Sequence, residues 1–203
     1  MQITGMLWGR KLLDLVEFPH SEVRGPELGV DDIKDMIKRH GQVFIKPLFK
    51  GGVGKKGKSG LLGRVDNITD ALKEKERLYF CEHVDGFSKV KSDGVTYEGA
   101  VPADYEVYFS ISESTEHRCP IMTVTHHGGV DIEELDEDKI KVVPFDALTG
   151  LKAFHVSNAL MELGAPPQVI SPLVQNLPKL WDLYNNYGML MLELNPIRMQ
   201  PGK

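Results

Sequence analysis

Two apolar runs joined by a loop of glycine and lysine restrict the possible fold of this chain more than any other feature. The runs are Val43–Leu48 and Leu61–Val65, and each has the length and composition of a strand. From Val43 to Val65 there are five lysines, one arginine, six glycines and no acidic residue, although the whole chain has a formal net charge of -5. Glycine lets successive backbone N–H groups approach one ligand, and lysine adds positive charge. The stretch therefore predicts two strands flanking an anion-binding loop.

Two other functions fit the same loop less well. Residues 52–59 match the P-loop pattern G-x-x-x-x-G-K-S, but a P-loop must run into the N terminus of a helix, and here Gly60 and the strand-like run Leu61–Val65 follow. A site for single-stranded nucleic acid would place aromatic side chains among the basic ones to stack on bases. None lies between Gly51 and Val65. The sequence therefore disfavours both a P-loop NTPase and a nucleic acid partner.

Length and composition exclude several classes of protein. The chain has 203 residues, of which 41% are hydrophobic, and this suits one or two domains with an ordinary core. Its longest apolar stretches are far shorter than the roughly 20 residues that cross a bilayer. Charged residues interrupt the N-terminal segment, where a signal peptide would need an apolar region. Cys81 and Cys119 are too few for a disulfide framework or a zinc site. We expect a cytoplasmic protein with reduced thiols and no membrane partner.

Helical and strand patterns alternate along the rest of the chain. Apolar spacing predicts helices over 4–16, 30–41, 68–77, 152–163 and 173–184, and Pro178 must either kink or restart the last of them. Asp66 or Asn67 can cap the third helix. A hairpin is predicted between Leu78–Cys81 and Val95–Tyr97, with Asp-Gly turn signals at 85–86 and 93–94. Residues 106–111 and 120–125 are predicted as paired strands, and 126–129 as the turn that follows.

The final strand, Leu190–Pro196, combines apolar and oxygen-bearing side chains. Because a strand alternates its side chains, one face would carry Leu190, Leu192 and Leu194, and the other would carry Met191, Glu193 and Asn195. Pro196 is expected to end the pairing. Carboxylate and amide oxygens suit Mg²⁺, particularly beside phosphates that complete its coordination. An ordinary strand end facing solvent would explain the same residues.

Six segments, taken in order, carry a family resemblance over most of the chain. They are Lys46 with Gly51–Lys55, Tyr97–Pro102, Tyr105–Ser110, Gly128–Glu133, Phe145–Gly150 and Glu193–Pro196. Their order and spacing resemble the nucleotide-binding half of the succinyl-CoA synthetase β subunit and of ATP-citrate lyase, which are ATP-grasp proteins. The pair His126–His127 looks more like the citrate lyase branch. The resemblance implies an α+β, two-lobed ATP-grasp fold, with residues 1–97 as the lobe of the glycine loop and residues 98–203 as the lobe of the nucleotide and magnesium residues.

The resemblance also implies a role for individual residues. Lys46 would contact the nucleotide phosphates, and Gly52, Val53 and Gly54 would cover them with backbone N–H groups. Glu98 and Val101 would lie on the hinge that holds adenine, Val101 through its main chain, and Glu106 would hold the ribose or adenine side. Asn195 would be a Mg²⁺ ligand, and Glu193 would be an acid near the phosphoryl-transfer site. These roles agree with phosphoryl transfer, which depends on positioning and on charge stabilisation by N–H groups, lysine and Mg²⁺.

Two departures from the family pattern change the expectation for the whole reaction. Family members related to succinyl-CoA synthetase usually carry arginine where this chain has Val53, so Lys55, Lys56 or Lys58 would have to compensate for one fixed charge. The family's other Mg²⁺ ligand, an aspartate, and its CoA-ligase domain would both come after Lys203. We therefore expect an excised ATP-grasp domain, or one component of an enzyme assembled from several chains.

The function implied by the resemblance is that of an ADP-forming carboxylate-CoA ligase component, of the succinyl-CoA synthetase or ATP-citrate lyase type. The chain would bind ATP or GTP with Mg²⁺ and supply the γ-phosphate for acyl-phosphate formation. Its partner would be a CoA-binding subunit or domain that carries the phosphohistidine, so His126 and His127 are expected to be ordinary loop histidines. The carboxylic acid and CoA would bind mainly elsewhere. The alternative is a nucleotide-sensing or nucleic-acid-binding module without ligase activity.

Overall fold

The computed structural model describes residues 3, 5–49, 60–85, 88–129 and 135–200. The chain forms two compact units. Unit 1 comprises Met1–Leu12 and His20–Val101, and unit 2 comprises Leu13–Pro19 and Pro102–Lys203. The predicted division at residues 97 and 98 stays a prediction.

The helices of the described residues are as follows. They are α1 Met6–Asp14, α2 Val30–His40, α3 Ile68–Tyr79, α4 Ala153–Glu162, α5 Pro167–Asn176 and α6 Lys179–Asn186, with a 3-10 helix at Glu137–Lys139. The strands are β1 Val23–Arg24, β2 Val43–Phe49, β3 Gly63–Val65, β4 Glu82–Asp85, β5 Ser88–Gly99, β6 Tyr105–Ser114, β7 Cys119–Thr125, β8 Lys141–Pro144 and β9 Met191–Met199. No helix in these ranges has the length and apolar character that crossing a membrane requires.

Unit 1 is an antiparallel sheet covered on one face by helices. Its strand order is β1-β5-β2-β3, and β4 pairs with the first residues of β5. The predicted strands on both sides of the glycine and lysine loop are confirmed as β2 and β3, which pair antiparallel from Val43 opposite Val65. Gly60 lies in a turn and leads towards β3, so a strand follows the loop and the helix of a P-loop does not.

Local chemistry explains the helices of unit 1. Helix α2 has Asp31 and Asp32 in its first turn and basic residues in its last, which complements the helix dipole. Gly41 ends it with φ +71°, where only glycine is unstrained. Of the two predicted caps for α3, Asn67 is the one that accepts from the backbone N–H of Asp70 at 2.9 Å. Both helices pack against the sheet over one core, formed by Ile33, Met36, Val43, Ile45, Phe49, Leu61, Val65, Ala71, Leu78, Val95 and Tyr97.

The predicted hairpin between residues 78 and 97 is partly wrong. Leu78 and Tyr79 belong to α3, where Leu78 is fully buried, so the hairpin strands are β4 and β5. The second Asp-Gly pair, 93–94, lies inside β5 and not in a turn. Between Pro47 opposite Val95 and Phe49 opposite Ser92, β5 has one residue more than β2. A β-bulge accommodates Gly94 there, and it lets the long strand continue.

Unit 2 contains a second antiparallel sheet, with strand order β8-β7-β6-β9. The predicted pairing of residues 106–111 with 120–125 is confirmed by β6 and β7. Pro178 restarts the helix, because it stands at the N-cap of α6 after α5 has ended. Buried apolar side chains come from the strands and all three helices, among them Val107, Phe109, Ile111, Met122, Val124, Val156, Leu160, Val169, Leu173, Leu177 and Leu180.

The expectation that Pro196 ends the last strand is wrong. Strand β9 continues to Met199 and pairs again with β6, with Ile197 opposite Val107 and Arg198 opposite Glu106. Between Leu194 and Ile197, β9 has one residue more than β6, so Asn195 and Pro196 lie in a β-bulge. Their peptide bond is cis. Proline is tolerated because β9 is an edge strand and a bulge residue does not need its N–H for the ladder.

Candidate functional site

Lys46 and Glu98 lie on the same face of the unit 1 sheet. Lys46 is opposite Thr96, and Phe44 is opposite Glu98 in the pairing of β2 with β5. Directly opposite residues share a face of the sheet. The other face carries Val43 and Ile45, which belong to the buried core. Alternation along β2 therefore turns the lysine away from the helices.

The two charged side chains form a direct ion pair. Lys46 Nζ donates a hydrogen bond to Glu98 Oε2. The Lys46 side chain is 31% exposed and that of Glu98 is 11% exposed. Thr96, itself buried, directs its hydroxyl to the Lys46 carbonyl oxygen at 3.4 Å. The exposed part of the Lys46 ammonium, which carries three donors, can donate a further hydrogen bond to an acceptor such as an anionic ligand.

The segment after Glu98 is fixed by a main-chain hydrogen bond and by contact with a cluster of charged residues around Glu22, which draws its partners from β1 and α2. Gly99 donates its N–H to the Glu22 carbonyl oxygen at 2.9 Å, and a Cβ on Gly99 would lie 2.7 Å from the His40 ring. His40 Nε2 lies 2.8 Å from the Glu22 carboxylate, which also accepts from arginines at positions 24 and 39. Burial raises the pKa of Glu22, but these hydrogen bonds outweigh burial and lower the pKa to about 2. Val101, where unit 1 ends, is half-buried.

In unit 2, Glu106 meets Arg198 across the sheet. The two residues are direct partners in the pairing of β6 with β9, and Arg198 Nε donates to Glu106 Oε1 at 3.0 Å. Both side chains remain partly exposed. The backbone of Glu106 is held as well, because its carbonyl oxygen accepts from the Gly128 N–H at 2.6 Å.

The glycine pair 128–129 joins Glu106 to Asn195. A Cβ on Gly128 would lie 2.6 Å from the backbone of Val107, so no side chain fits there. Gly129 has φ +74°, and a Cβ on it would lie 1.9 Å from Glu106 Oε2. Its N–H donates to Asn195 Oδ1 at 3.2 Å. We call Glu106, Gly128, Gly129, Asn195 and Arg198 the β6–β9 cluster.

Asn195 and Glu193 offer oxygen ligands but not a complete metal site. Both side chains are exposed, on either side of the half-buried Leu194. The Asn195 amide oxygen keeps a second lone pair beside its bond to Gly129. Among the residues that the structure describes, no group of three or more His, Cys, Asp or Glu side chains could hold a metal ion. The donors present therefore fit a Mg²⁺ that takes its remaining ligands from phosphates and water.

The rings of His126 and His127 are in contact where the chain leaves β7, with centroids 4.2 Å apart and planes tilted by 36°. His126 Nδ1 is buried and finds no hydrogen-bond partner among the residues that the structure describes. Burial and the neighbouring His127 lower the pKa of the His126 imidazole.

The sequence-predicted residues are only partly brought together. Lys46 joins Glu98 in unit 1, and Glu106 joins Asn195 in unit 2 through the glycine pair. Gly52, Val53 and Gly54 lie outside the described residues. Arg198 was not predicted, because the sequence was expected to leave the sheet at Pro196. The Glu22 carboxylate was also missed, since its basic partners come from both β1 and α2.

The fold and these residues define a class of protein: an α+β chain with two antiparallel sheet units, each of which carries its own polar cluster. The family model described as the ATP-grasp domain matches residues 19–199. The chain therefore belongs to the ATP-grasp domain family, and the family resemblance and fold predicted from the motifs are confirmed.

Curated relatives and solved structures agree with this assignment. The β subunit of the ADP-forming succinate-CoA ligase of Desulfatibacillum aliphaticivorans is 28% identical over 178 residues, which are 85% of this chain and 46% of that protein. This chain thus spans about half the length of the relative. The ATP citrate lyase of Methanothrix soehngenii, solved with citrate and coenzyme A, has a TM-score of 0.67 at 21% identity over 94% of this chain and 43% of its own. PH1788 of Pyrococcus horikoshii has a TM-score of 0.73 at 16% identity, over 97% and 85% of the two chains. These two structures share the fold.

Proposed function

We propose that this chain binds Mg-ATP, or Mg-GTP, and supplies the γ-phosphate in an ADP-forming carboxylate-CoA ligase of the succinyl-CoA synthetase or ATP-citrate lyase type. The observation that carries the proposal is the position of Lys46. Its ammonium stands on the face of the unit 1 sheet opposite the core, on the strand that runs into the glycine and lysine loop. Family membership and the similarity to a ligase β subunit support the same function.

Unit 1 would bind the triphosphate and the base. Lys46 would neutralise phosphate charge together with the backbone N–H groups of Gly52, Val53 and Gly54. Glu98 and the main chain of Val101 would line the adenine side. A lysine already held by a carboxylate is preorganised, so less side-chain entropy is lost when the phosphate binds.

Unit 2 would bind the ribose and the metal. Glu106 can accept hydrogen bonds from ribose hydroxyls, and Asn195 can supply one oxygen to a Mg²⁺ that is otherwise held by phosphates and water. Mg²⁺ bound there would neutralise charge on the transferred phosphoryl group. Glu193, next to the bulge of β9, would stand near that group.

The phosphoryl acceptor would come from a partner. In the proposed reaction the γ-phosphoryl group passes from the nucleotide to a histidine of a CoA-binding subunit or domain, and the nucleoside diphosphate leaves. The phosphohistidine then gives its phosphoryl group to a carboxylate to form an acyl phosphate. The CoA thiol attacks the acyl carbon and inorganic phosphate leaves. The acid and CoA would be recognised mainly outside this chain. His126 Nδ1 is buried, so this ring nitrogen is not accessible as a phosphoryl acceptor.

Calorimetry with ATP and GTP, with and without Mg²⁺, tests the nucleotide site. We expect Mg-dependent binding that Lys46→Met weakens by about tenfold to a hundredfold, since a hydrogen bond from a charged group is worth roughly 1.5 to 3 kcal/mol. Lys34→Met is the matched control, because that half-exposed lysine forms an ion pair with an exposed aspartate of its own helix. Affinity for an oligonucleotide that exceeds the affinity for Mg-ATP and falls steeply with salt would instead favour a nucleic acid module.

A further inference from the structure

Arg198 is a basic residue that is not among the site residues predicted from the sequence. It stands opposite Glu106 in the pairing of β6 with β9, and its Nε donates to Glu106 Oε1 at 3.0 Å. Its position depends on the bulge. Strict alternation from Glu193 would put residue 198 on the opposite face of β9, but the extra residue at 195–196 reverses the order, so both Glu193 and Arg198 lie opposite β6 residues of one face.

Three groups restrict Glu106 at the same time. Its carbonyl oxygen accepts from the Gly128 N–H, its Oε1 accepts from Arg198, and its Oε2 lies where a Cβ of Gly129 would be. A carboxylate on the surface ordinarily samples several rotamers, and a ligand loses affinity for each such side chain that it must immobilise. The contacts with Arg198 and Gly129 already hold the Glu106 carboxylate in place.

We propose that Arg198 is a positioning residue that, together with Gly129, orients the Glu106 carboxylate for the hydroxyl groups of a nucleotide ribose. This inference rests on the proposed function and adds a determinant of its specificity. Arg198 donates to Oε1, and Gly129, which lacks a Cβ, leaves the space that Oε2 needs, so the remaining lone pairs of the carboxylate can accept from ribose hydroxyls. The Nε–H of the rigid guanidinium donates in a fixed direction, and an ammonium at the same place would supply the charge without that direction.

The test compares ATP with 2′-deoxyATP and 3′-deoxyATP by calorimetry on the 203-residue chain in the presence of Mg²⁺. One hydrogen bond to a charged acceptor predicts that wild type binds ATP about tenfold or more tighter than at least one deoxynucleotide. Arg198→Met should reduce that ratio to about threefold or less by weakening ATP, with little change for the deoxynucleotide. Arg198→Lys should restore the ratio only partly, and Arg198→Met should add nothing in a Glu106→Gln background.

Two matched controls separate positioning from charge and from backbone strain. Arg118→Met removes an exposed arginine at the β6–β7 turn, at the other end of β6 from Glu106. Gly129→Ala should reduce the affinity ratio of ATP to the deoxynucleotide as Arg198→Met does, because the new Cβ displaces Oε2 of Glu106. Gly164→Ala introduces the same strain at φ +71°, but its Cβ would meet no described residue beyond its own chain neighbours within 4 Å, so the ATP-to-deoxynucleotide affinity ratio should not change.

Several results would overturn the inference. Equal loss of affinity for ATP and both deoxynucleotides in Arg198→Met would show that the arginine acts on the phosphates or on folding. An unchanged ratio in both Arg198→Met and Gly129→Ala would show that neither residue orients Glu106. A wild type that binds ATP without distinguishing either deoxynucleotide would exclude a ribose contact, whereas a wild type that binds no nucleotide would refute the proposed function itself.

Discussion

The ion pair between Lys46 and Glu98 allows a sharp prediction about stability. The two side chains of the pair differ in burial: Glu98 is 11% exposed and Lys46 is 31% exposed. Lys46→Met leaves the more buried charge without its partner. Glu98→Gln leaves an ammonium that can turn towards water along its flexible stem. The two single substitutions should therefore have unequal costs.

The magnitudes follow from this difference. Removing one partner of a buried ion pair costs about 3 to 5 kcal/mol, and an unsatisfied but partly hydrated group costs about 1 to 3 kcal/mol. We expect Lys46→Met to lower the free energy of unfolding by about 2 to 4 kcal/mol and Glu98→Gln by about 1 to 2 kcal/mol. The double variant should cost less than the sum of the two, with a coupling free energy of about 1 to 3 kcal/mol.

Urea denaturation followed by circular dichroism measures all four proteins, with Lys34→Met as the control. The control should change the free energy of unfolding by no more than about 0.5 kcal/mol, because its ion pair is on the surface. Additive costs in the double variant would refute a direct interaction of Lys46 with Glu98. A larger cost for Glu98→Gln than for Lys46→Met would refute the reasoning from burial.

Three further predictions test other parts of the structure. The pKa of Glu22 is lowered to about 2 from an ordinary value of 4.5, so this carboxylate contributes stability that is complete above about pH 4.5 and is lost as the pH falls through about 2. Urea titrations should therefore show that Glu22→Gln lowers the free energy of unfolding relative to wild type at pH 7, and lowers it much less at pH 2.5. An equal difference at both pH values would contradict this. Gly150→Ala should cost about 2 to 3 kcal/mol in thermal unfolding, because its Cβ would lie 2.4 Å from the Trp181 ring at φ +75°, whereas Gly164→Ala should cost only about 1 kcal/mol of backbone strain. Mass spectrometry after incubation with Mg-ATP should find no stable phosphate on His126–His127, and a mass increase of one phosphate there would make this chain itself the acceptor.

Helix ends could be predicted closely because local chemistry sets them. The stop of α2 at Gly41 needs only a residue that adopts positive φ, and the start of α3 needs only the Asn67 side chain within reach of a free N–H. The errors fell where a strand depends on its neighbour. The local sequence around Leu78 is compatible with either a strand or a helix. Leu78 is helical because its side chain completes the core between α3 and the sheet.

Two strands were missed for the same reason. The residue pair of β1 is too short to show alternation, and it is a strand only because β5 offers it a partner. Strand β8 has four residues, Lys141–Pro144, and lies at an edge beside β7. Neither segment has a local pattern that distinguishes it from a connecting loop.

By itself, the sequence determined the two strands around the glycine and lysine loop, the family, and most of the polar residues of the candidate site. It could do so because strand alternation, helix caps and motif spacing are properties of neighbouring residues. Only the tertiary structure decided which of those side chains meet. Lys46 reaches Glu98 across 52 positions because β2 and β5 pair in one register, and Arg198 reaches Glu106 because one extra residue in β9 moves it to the other face. A bulge has no side-chain pattern of its own, since it exists only relative to the strand beside it.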